Sequence, residues 1–283
     1  MGMDTTPVSV AAVQMCSGGE VAANLATAGR LLAEAAARGA RVAVLPENFA
    51  LMPQRDAHRR ETAEPDGKGP IQDFLAAQSA KLSLWIVAGA VQLSGPADGR
   101  LWQSLLVYDA TGRRVARYDK IHLFDVELPD RNESYRESAN MAPGSTPMVV
   151  DTPAGRLGLS VCYDLRFPEL YRELVARGAQ WLVVPAAFTA ATGAAHWEPL
   201  LRARAIENLS HVVACGETGR HPSGRETWGH SMVIDHWGRI LAQQPDGDGV
   251  VVAPIDLAAQ AEARRRFPAL EHRRLGLAPG LKR

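Results

Sequence analysis

The sequence predicts an α/β fold, because apolar strand-like segments alternate with helical segments along the 283 residues. Several strand-like segments, such as VSVAAVQM and WLVVPA, are apolar on successive residues, which is typical of strands covered on both faces. Other neighbouring segments are separated by turn residues and predict β-hairpins. No repeat, low-complexity tract or linker interrupts the pattern. We therefore expect one domain over residues 1–283, with a C-terminal tail from about residue 257.

In the N-terminal half, a helix over Val21–Arg38 is expected after the first strand, VSVAAVQM. The strand RVAVLPE ends at Glu47, and a helix near residues 71–81 leads to the strand LWIVAGAVQL. The segments LWQSLLVYD and RRVARYDK form a predicted hairpin around ATGR, and the second of them ends at Lys120. Residues 128–147 are polar and rich in turn formers, so we expect a loop there.

In the C-terminal half, the strand GRLGLSVC is expected to reach Cys162, and Pro168 suits the first position of a helix. The strand WLVVPA, the helix HWEPLLRARAIENL and the strand HVVACGE follow. HSMVIDHWGRILAQ predicts a hairpin around Trp237 and Gly238. A last strand, VVVAPID, precedes a basic helix over residues 257–266.

The composition excludes several classes of protein. The chain has 31 Lys and Arg against 31 Asp and Glu, and no basic stripe indicates nucleic-acid binding. Apolar runs such as WLVVPAAF are too short to cross a membrane, and the N-terminus lacks the pattern of a signal peptide. Three cysteines form no disulfide framework, and no metal-ligand spacing occurs. We expect a cytoplasmic protein with a small-molecule ligand, no cofactor, no metal, and no nucleic-acid or membrane partner.

Cys162 is the first candidate for chemistry. It follows an apolar run and precedes a helix, and ligands of open α/β folds bind at the carboxyl ends of strands. A strand–turn–helix elbow presents a nucleophile and aims the next backbone N–H at a developing oxyanion. The alternative is a buried core thiol. We interpret Cys16 and Cys215 in that way, because neither has such a turn.

A thiol with a pKa of about 8.5 needs a base. None of the histidines stands alone at the end of an apolar strand, whereas Glu47 and Lys120 each end a strand. Burial in a dry pocket is expected to raise the pKa of Glu47 and make it a useful base. The ammonium of Lys120 would stabilise an oxyanion. Taken singly, each is better interpreted as a surface or capping residue, but together with Cys162 the two favour convergence on one edge.

Three segments resemble the signatures of the carbon–nitrogen hydrolase (nitrilase) superfamily: LPENF around Glu47, YDKIHLFD around Lys120 and CYDLRFPEL around Cys162. Their order and separation also match, and the resemblance extends from AAVQM to EHRR. AHWEPLLRARAIEN and GRHPSGRETWGHSMV resemble the Nit-type branch, especially members that act on deaminated glutathione. The resemblance implies a four-layer α-β-β-α sandwich, in which helices cover two mixed sheets, and a homodimer.

The same resemblance implies a mechanism through a cysteine thioester. Glu47 is the expected base and Cys162 the nucleophile, while Lys120 and the backbone N–H of Tyr163 hold the oxyanion. Glu137 is the expected second acidic residue, which orients the lysine. Losing one oxyanion donor is expected to lower the rate by about 10²–10³-fold.

Two positions leave questions open. Glu127 is closer to Lys120 in sequence than Glu137 and is the alternative second acidic residue. Gln103, in LWQSLL, stands where many relatives have Asn. This departure touches no catalytic position, but it alters a hydrogen bond near the site.

The resemblance implies an amidase that hydrolyses a small 2-oxo acid amide, with deaminated glutathione as the leading substrate. Such an anion favours guanidinium donors, and Arg166 is the leading candidate. Phe188, Thr189 and Thr192 follow the strand WLVVPA and are expected to line the pocket. Four other arginines are alternatives: Arg202, Arg204, Arg220 and Arg225. Each of the five arginines is by itself better interpreted as a surface or ion-paired residue, and Arg166 is equally well placed to support the cysteine turn.

Other functions stay open at this point. The chain is alternatively an omega-amidase acting on 2-oxoglutaramate, or a hydrolase of N-carbamoyl amino acids. A catalytically silent binding protein with the same fold is the alternative from a different class.

Overall fold

The computed structural model describes residues 6–128 and 133–275. The strands in these residues are, in chain order, β1 (Val8–Gln14), β2 (Val42–Leu45), β3 (Trp85–Ser94), β4 (Leu101–Tyr108), β5 (Arg114–Asp119), β6 (Asp125–Leu128), β7 (Glu133–Arg136), β8 (Met141–Ala142), β9 (Val149–Thr152), β10 (Gly155–Gly158), β11 (Trp181–Ala186), β12 (His211–Gly216), β13 (Thr218–Arg220), β14 (Glu226–Trp228), β15 (Ser231–Ile234), β16 (Ile240–Gln244) and β17 (Gly249–Ile255). The α-helices in the same ranges are α1 (Val21–Ala37), α2 (Asp56–Thr62), α3 (Pro70–Leu82), α4 (Pro168–Ala176), α5 (Ala190–Asn208) and α6 (Leu257–Arg266). Residues 276–283 of the expected tail lie outside the described residues.

Two mixed sheets contain most of the strands. The first has the order β17-β1-β2-β3-β4-β5, with β8 beside β4, and its strands β1, β2 and β3 are parallel. The second has the order β16-β15-β12-β11-β10-β9, and its strands β10, β11 and β12 are parallel. The hairpins β6–β7 and β13–β14 lie outside both sheets. Each sheet therefore has a parallel centre, whose carboxyl ends are the place where α/β folds bind ligands.

The two sheets pack face to face, and helices cover their outer faces. Along β1, the side chain of Val10 belongs to the cluster that also contains Trp181 and Val213 of the second sheet. The next residue, Ala11, belongs to a different cluster with α1 and α3, because successive side chains of a strand point to opposite faces. Helices α4 and α5 cover the second sheet. The expected four-layer α-β-β-α sandwich of two mixed sheets is confirmed.

Most predicted elements are confirmed, and the basic helix over residues 257–266 coincides with α6. The strand GRLGLSVC is shorter than predicted, because β10 ends at Gly158 and not at Cys162. The hydroxyl of Ser160 donates a hydrogen bond to the Val183 carbonyl of β11 at 2.6 Å. A side chain therefore occupies this carbonyl. Residues 159–161, which lead to Cys162, are buried but belong to no strand.

Other expectations were wrong in detail. The expected loop over residues 128–147 contains β7, a 3₁₀ turn and β8 in its described part, while residues 129–132 lie outside the described residues. The apolar pattern was missing there because the β6–β7 hairpin lies outside both sheets. Cys16, expected in the core, is exposed, since β1 ends at Gln14. Cys215 is buried, as expected.

None of the helices in the described part of the chain has both the length and the apolar composition of a membrane span.

Candidate active site

One cavity of about 430 Å³ lies where β2, β10 and β11 end. All of the site residues predicted from the sequence line this cavity: Glu47, Lys120, Glu137, Cys162, Tyr163, Arg166, Phe188, Thr189 and Thr192. Of the four alternative arginines, Arg225 lines the cavity as well. The thiol, the carboxylate and the ammonium, which are far apart in sequence, therefore meet in a single cleft.

Cys162 sits at the start of a 3₁₀ turn with a backbone φ of 49°, which is in the left-handed region. Residues other than glycine adopt this conformation at a cost, and it is common at functional sites where the surroundings enforce it. The enforcing residue here is Asp164, which is fully buried. Its carboxylate accepts hydrogen bonds from the Val161 backbone N–H at 2.9 Å and from the Tyr118 hydroxyl at 2.7 Å.

The same Asp164 carboxylate joins the two sheets at the site. It accepts a hydrogen bond from the backbone N–H of His122 at 3.1 Å and contacts the Nδ1 atom of His122 at 2.7 Å. Tyr118 and His122 flank Lys120, so these bonds fix the lysine of the first sheet beside the cysteine turn of the second. Sequence reasoning missed Asp164, Tyr118 and His122, although all three lie within the motif segments YDKIHLFD and CYDLRFPEL.

The exit of β2 places Glu47 in the cleft. A Cβ atom on Gly89 of β3 would lie 2.3 Å from the carbonyl oxygen of Pro46, so only glycine permits this close approach. The chain then turns through Asn48, whose φ is 66°. Glu47 is 4% exposed. Its carboxylate is therefore held in the cleft by backbone geometry as well as by side-chain contacts.

The Glu47 carboxylate has donors on every side. Its Oε2 accepts a hydrogen bond from the Ala187 backbone N–H at 3.0 Å. Its Oε1 accepts one from Lys120 Nζ at 3.0 Å and a longer one from Gln103 Nε2 at 3.4 Å. The thiol of Cys162 also donates a hydrogen bond to this carboxylate. Glu47 is thus in direct contact with both other members of the predicted triad.

Lys120 is 2% exposed and bridges two carboxylates. Its Nζ lies 3.0 Å from Glu47 Oε1 and 2.9 Å from Glu137 Oε2. Glu137 also accepts a hydrogen bond from the Phe124 backbone N–H at 2.6 Å, which fixes its orientation. Glu127, the alternative second acidic residue, is exposed on β6 and does not line the cavity.

Burial acts to raise the pKa of Glu47, but the charge of Lys120 and the hydrogen bonds from Cys162 and Lys120 outweigh it. The pKa of Glu47 is lowered, and the expectation that a dry pocket raises it was wrong. The lysine was the missing factor, since a cation in contact favours the ionised carboxylate. Burial acts to lower the pKa of Lys120, but the charges of Glu137 and Glu47 raise it.

Burial and the charge of Glu47 raise the pKa of the Cys162 thiol. The thiol is therefore protonated in the resting protein, beside an ionised carboxylate. Full transfer of this proton to Glu47 is unfavourable before a ligand binds, because both pKa shifts oppose it. A reaction at this thiol requires the proton to move while the sulfur attacks, which is general-base catalysis.

Arg166 ends the cysteine turn and lies at the cavity wall beside Phe188. The centre of its guanidinium is 5.2 Å from the Phe188 ring centroid and 5.8 Å from that of Tyr163. Its Nη1 donates a hydrogen bond to His196 Nδ1 at 3.2 Å. These contacts hold the guanidinium at the cavity wall, where it is able to meet an anion.

Thr189 and Thr192 line the cavity and also begin α5. Thr189 is the N-cap residue, and its hydroxyl accepts a hydrogen bond from the Thr192 backbone N–H at 3.4 Å. The two hydroxyl oxygens are 2.8 Å apart. This capping explains why α5 starts at Ala190, earlier than the predicted helix HWEPLLRARAIENL.

Two of the alternative arginines lie away from the cavity, and two arginines that were not predicted line it. Arg202 donates to the Gly238 carbonyl, and Arg204 donates through two nitrogens to the Leu165 carbonyl, so both buttress the fold. Cavity-lining arginines that sequence reasoning missed are Arg59 and Arg136. No local signal marked them, because α2 and β7 were not predicted. Among residues 6–128 and 133–275, no group of three acidic, His or Cys side chains is placed to hold a metal ion.

The fold and the cleft together define a hydrolase with a thiol, a carboxylate and an ammonium at its centre. The family model described as Carbon-nitrogen hydrolase matches residues 9–265. The chain belongs to the carbon–nitrogen hydrolase family and is an amidase.

A relative and two solved structures agree with this assignment. The deaminated glutathione amidase of Yersinia enterocolitica is 42% identical over 267 residues, which cover 94% of this chain and 93% of that protein. The Caenorhabditis elegans NitFhit protein has a TM-score of 0.89 at 37% identity, with 96% of this chain and 66% of that longer chain covered. Saccharomyces cerevisiae Nit3, a member of branch 10 of the nitrilase superfamily, has a TM-score of 0.85 at 27% identity, covering 95% and 97%.

Proposed function

We propose that this amidase hydrolyses deaminated glutathione to 2-oxoglutarate and cysteinylglycine. The observation that carries a thiol-dependent hydrolase is the contact of Glu47 with both Lys120 and Cys162 inside one buried cleft. The substrate is supported by the 42% identity to the Yersinia enterocolitica enzyme of that name. Arginines on the cavity wall also suit a substrate with two carboxylates: Arg59, Arg136, Arg166 and Arg225.

In the proposed reaction, Glu47 accepts the thiol proton while the sulfur of Cys162 attacks the amide carbonyl. Lys120 and the backbone N–H of Tyr163 hold the resulting oxyanion. Glu47 then gives its proton to the leaving nitrogen, the carbon–nitrogen bond breaks, and a thioester remains on the cysteine. Water, deprotonated by the same carboxylate, attacks the thioester and releases the acid and the free thiol.

Glu137 keeps Lys120 charged and oriented toward the carbonyl oxygen. This role is supported by the two contacts of Glu137 with the lysine Nζ, at 3.0 and 2.9 Å. Arg166 binds the carboxylate of the 2-oxo acid part, and Phe188, Thr189 and Thr192 surround that part. Their position on the cavity wall beside the cysteine turn supports this assignment.

The direct test is incubation of the purified protein with deaminated glutathione, with Cys162→Ala as the blank. We expect release of cysteinylglycine and 2-oxoglutarate, and none from the variant. Faster turnover of 2-oxoglutaramate with none of deaminated glutathione would establish an omega-amidase instead. Ammonia from an N-carbamoyl amino acid would establish the carbamoyl hydrolase. A Cys162 thiol that iodoacetamide does not alkylate in the folded protein would favour the silent binding protein.

Three further expectations from the sequence stay proposals: one domain over residues 1–283, a cytoplasmic location, and a homodimer. The single domain is supported by the shared core of the two sheets. The homodimer is supported by large apolar side chains that remain exposed near α5 and α6, including Trp237 and Phe267, whose rings lie 5.9 Å apart. Light scattering of the protein as it elutes from a size-exclusion column gives its mass and distinguishes a dimer from a monomer.

A further inference from the structure

Arg225 lies in the turn between β13 and β14 and reaches the cavity wall. Its Nη2 donates a hydrogen bond to the carbonyl of Ala187, and its guanidinium centre lies 5.4 Å from the Tyr135 ring centroid. Its buried Nε–H has no hydrogen-bond partner among the described residues. The protein therefore fixes this guanidinium in place but uses only part of its donor capacity.

Arg225 and Arg166 occupy different flanks of the cleft. Ala187 donates its backbone N–H to Glu47, and its carbonyl, in the next peptide group, accepts from Arg225, so one residue holds both side chains near each other. The charge of Arg225 is among the factors that lower the pKa of Glu47. Arg166 instead packs on the Phe188 ring, beside the cysteine turn.

The chemistry of amide hydrolysis assigns the two flanks. Glu47 must protonate the leaving nitrogen, so the leaving part of the substrate extends from the cysteine toward the Glu47 flank. In deaminated glutathione this part is a dipeptide that ends in a carboxylate, about 7 Å from its amide nitrogen when extended. Arg225 is the cation held on that flank, by the carbonyl of the same residue, Ala187, whose N–H binds Glu47.

We infer that Arg225 binds the terminal carboxylate of the leaving dipeptide and so selects amides with an anionic leaving group over primary amides. This inference rests on the proposed substrate. Arg59 is the competing donor, because its Nη1 lies 3.4 Å from Asn48 Oδ1, next to Glu47. The Arg225 guanidinium is preferred because it binds the carbonyl of Ala187, the residue whose N–H binds the Glu47 carboxylate itself, whereas Arg59 contacts the neighbouring Asn48.

The test compares three substrates: deaminated glutathione, the same compound with its terminal carboxylate converted to a carboxamide, and 2-oxoglutaramate. We expect the unaltered protein to prefer the free acid over the carboxamide by about 10- to 100-fold in kcat/KM. Arg225→Gln removes this preference, mainly through a higher KM for the free acid. The decrease in kcat/KM that Arg225→Gln causes on the carboxamide and on 2-oxoglutaramate is at least tenfold smaller than its decrease on the free acid. The matched control is Arg220→Gln, which changes an exposed arginine outside the cavity and keeps the preference.

Several outcomes would overturn the inference. If Arg225→Gln lowers kcat equally on all three substrates, the residue acts only through Ala187 and Glu47. If Arg59→Gln abolishes the preference and Arg225→Gln retains it, the carboxylate binds elsewhere. An unaltered protein that hydrolyses the acid and the carboxamide equally well contradicts the inference without any variant, even if Arg225→Gln fails to fold. No turnover of deaminated glutathione by the unaltered protein would instead overturn the proposed substrate, and the inference with it.

Discussion

Glu47 and Glu217 are two buried glutamates whose pKa values are shifted in opposite directions. Each follows a parallel strand, β2 or β12, and they are 4% and 0% exposed. Glu47 contacts Lys120, and its pKa is lowered despite its burial. Glu217 has no cation in contact among the described residues, and burial raises its pKa to about 8. The comparison teaches that the partner, rather than burial, decides which carboxylate in this protein carries a charge.

The hydrogen bonds of Ser17 support a neutral Glu217. The Ser17 hydroxyl oxygen lies 3.1 Å from the carbonyl of Phe49 and 2.7 Å from Glu217 Oε1. A hydroxyl has one proton, and the Phe49 carbonyl is only able to accept. Both contacts are satisfied when the hydroxyl donates to Phe49 and a protonated Glu217 donates to the hydroxyl. The Ser17 backbone N–H, 2.8 Å from Oε2, donates to the other oxygen of Glu217.

The sharpest test of this comparison replaces each glutamate with its neutral amide. Glu47→Gln is expected to lower kcat/KM by about 10³-fold, because the proposed base is lost. Glu217→Gln is expected to stay within about threefold, since the amide accepts from the Ser17 N–H and donates to its hydroxyl as the protonated acid does. Amide hydrolysis by both purified variants is the measurement. A similar loss in the two variants would contradict the assignment of charge, provided that their thermal unfolding is unchanged.

Removing the cation is expected to make Glu47 behave like Glu217. Lys120→Met leaves the buried Glu47 and the half-buried Glu137 without their partner, so the free energy of unfolding at neutral pH is expected to fall by about 3–5 kcal/mol. The rate is expected to fall by about 10²–10³-fold, since an oxyanion donor is lost. Urea denaturation measures the first effect.

The control for this prediction is the double variant Lys120→Met, Glu47→Gln. It removes the carboxylate of Glu47 as well, so part of the lost stability is expected to return, while the rate stays at or below that of Lys120→Met. If the double variant is no more stable than Lys120→Met alone, the unpaired charge of Glu47 is not what destabilises the single variant.

The raised pKa of Glu217 also predicts how stability depends on pH. The ordinary value is 4.5 and the folded value is about 8, so between these values the folded protein keeps a proton that the unfolded chain loses. The stabilisation is complete below about pH 4.5 and is lost as pH rises to about 8. Relative to Glu217→Gln, the unaltered protein should lose roughly 1.4 kcal/mol per pH unit in this window. Denaturation at several pH values checks the slope, and parallel curves for the two proteins would exclude it.

The contrast between the two glutamates also shows which properties of a buried carboxylate can be predicted from the sequence. Glu47 was recognised because it ends an apolar strand and stands in the motif LPENF. Glu217 also ends a predicted strand, HVVACGE, but it was not selected as a candidate and it stands in none of the three motifs. Local pattern therefore predicts that a carboxylate stands at the edge of a sheet. It does not predict the charge of that carboxylate, which depends on whether a residue such as Lys120 arrives from elsewhere in the chain.

The same limit explains the other differences. Helix α6 was predicted to the residue, because capping and composition are local. The cleft was predicted because three motifs contain a carboxylate, an ammonium and a thiol, which act together in one reaction. Asp164 was missed because its function is to accept bonds from Tyr118 and His122, more than forty positions earlier in the chain. The polar hairpin of β6 and β7 was missed because it packs outside both sheets and needs no apolar face.

The smallest expected effect concerns Gln103, which supports Glu47 from the side opposite Ala187. Its Nε2 lies 3.4 Å from Glu47 Oε1 and 3.2 Å from Asn48 Oδ1, and its own Oε1 accepts a hydrogen bond from Gln92 at 2.8 Å. Gln103→Asn keeps the amide but shortens the side chain by one methylene, so the longest of these contacts breaks first. We expect kcat to fall by less than about tenfold, in keeping with one weak hydrogen bond.

The pH profile separates positioning from packing at this residue. An amide N–H that donates to Glu47 stabilises the ionised form, so its loss should raise the pKa of Glu47 and move the acid limb of the kcat/KM profile to higher pH. Gln92→Leu is the matched control, because it removes the bonds that Gln92 donates to Gln103 and to Asn48 and leaves the Gln103 side chain at full length. It should shift the limb in the same direction by a smaller amount. A lower kcat with an unmoved limb in both variants would mean that the amides only fill space behind the carboxylate, and that Lys120 and the other contacts of Glu47 set its charge.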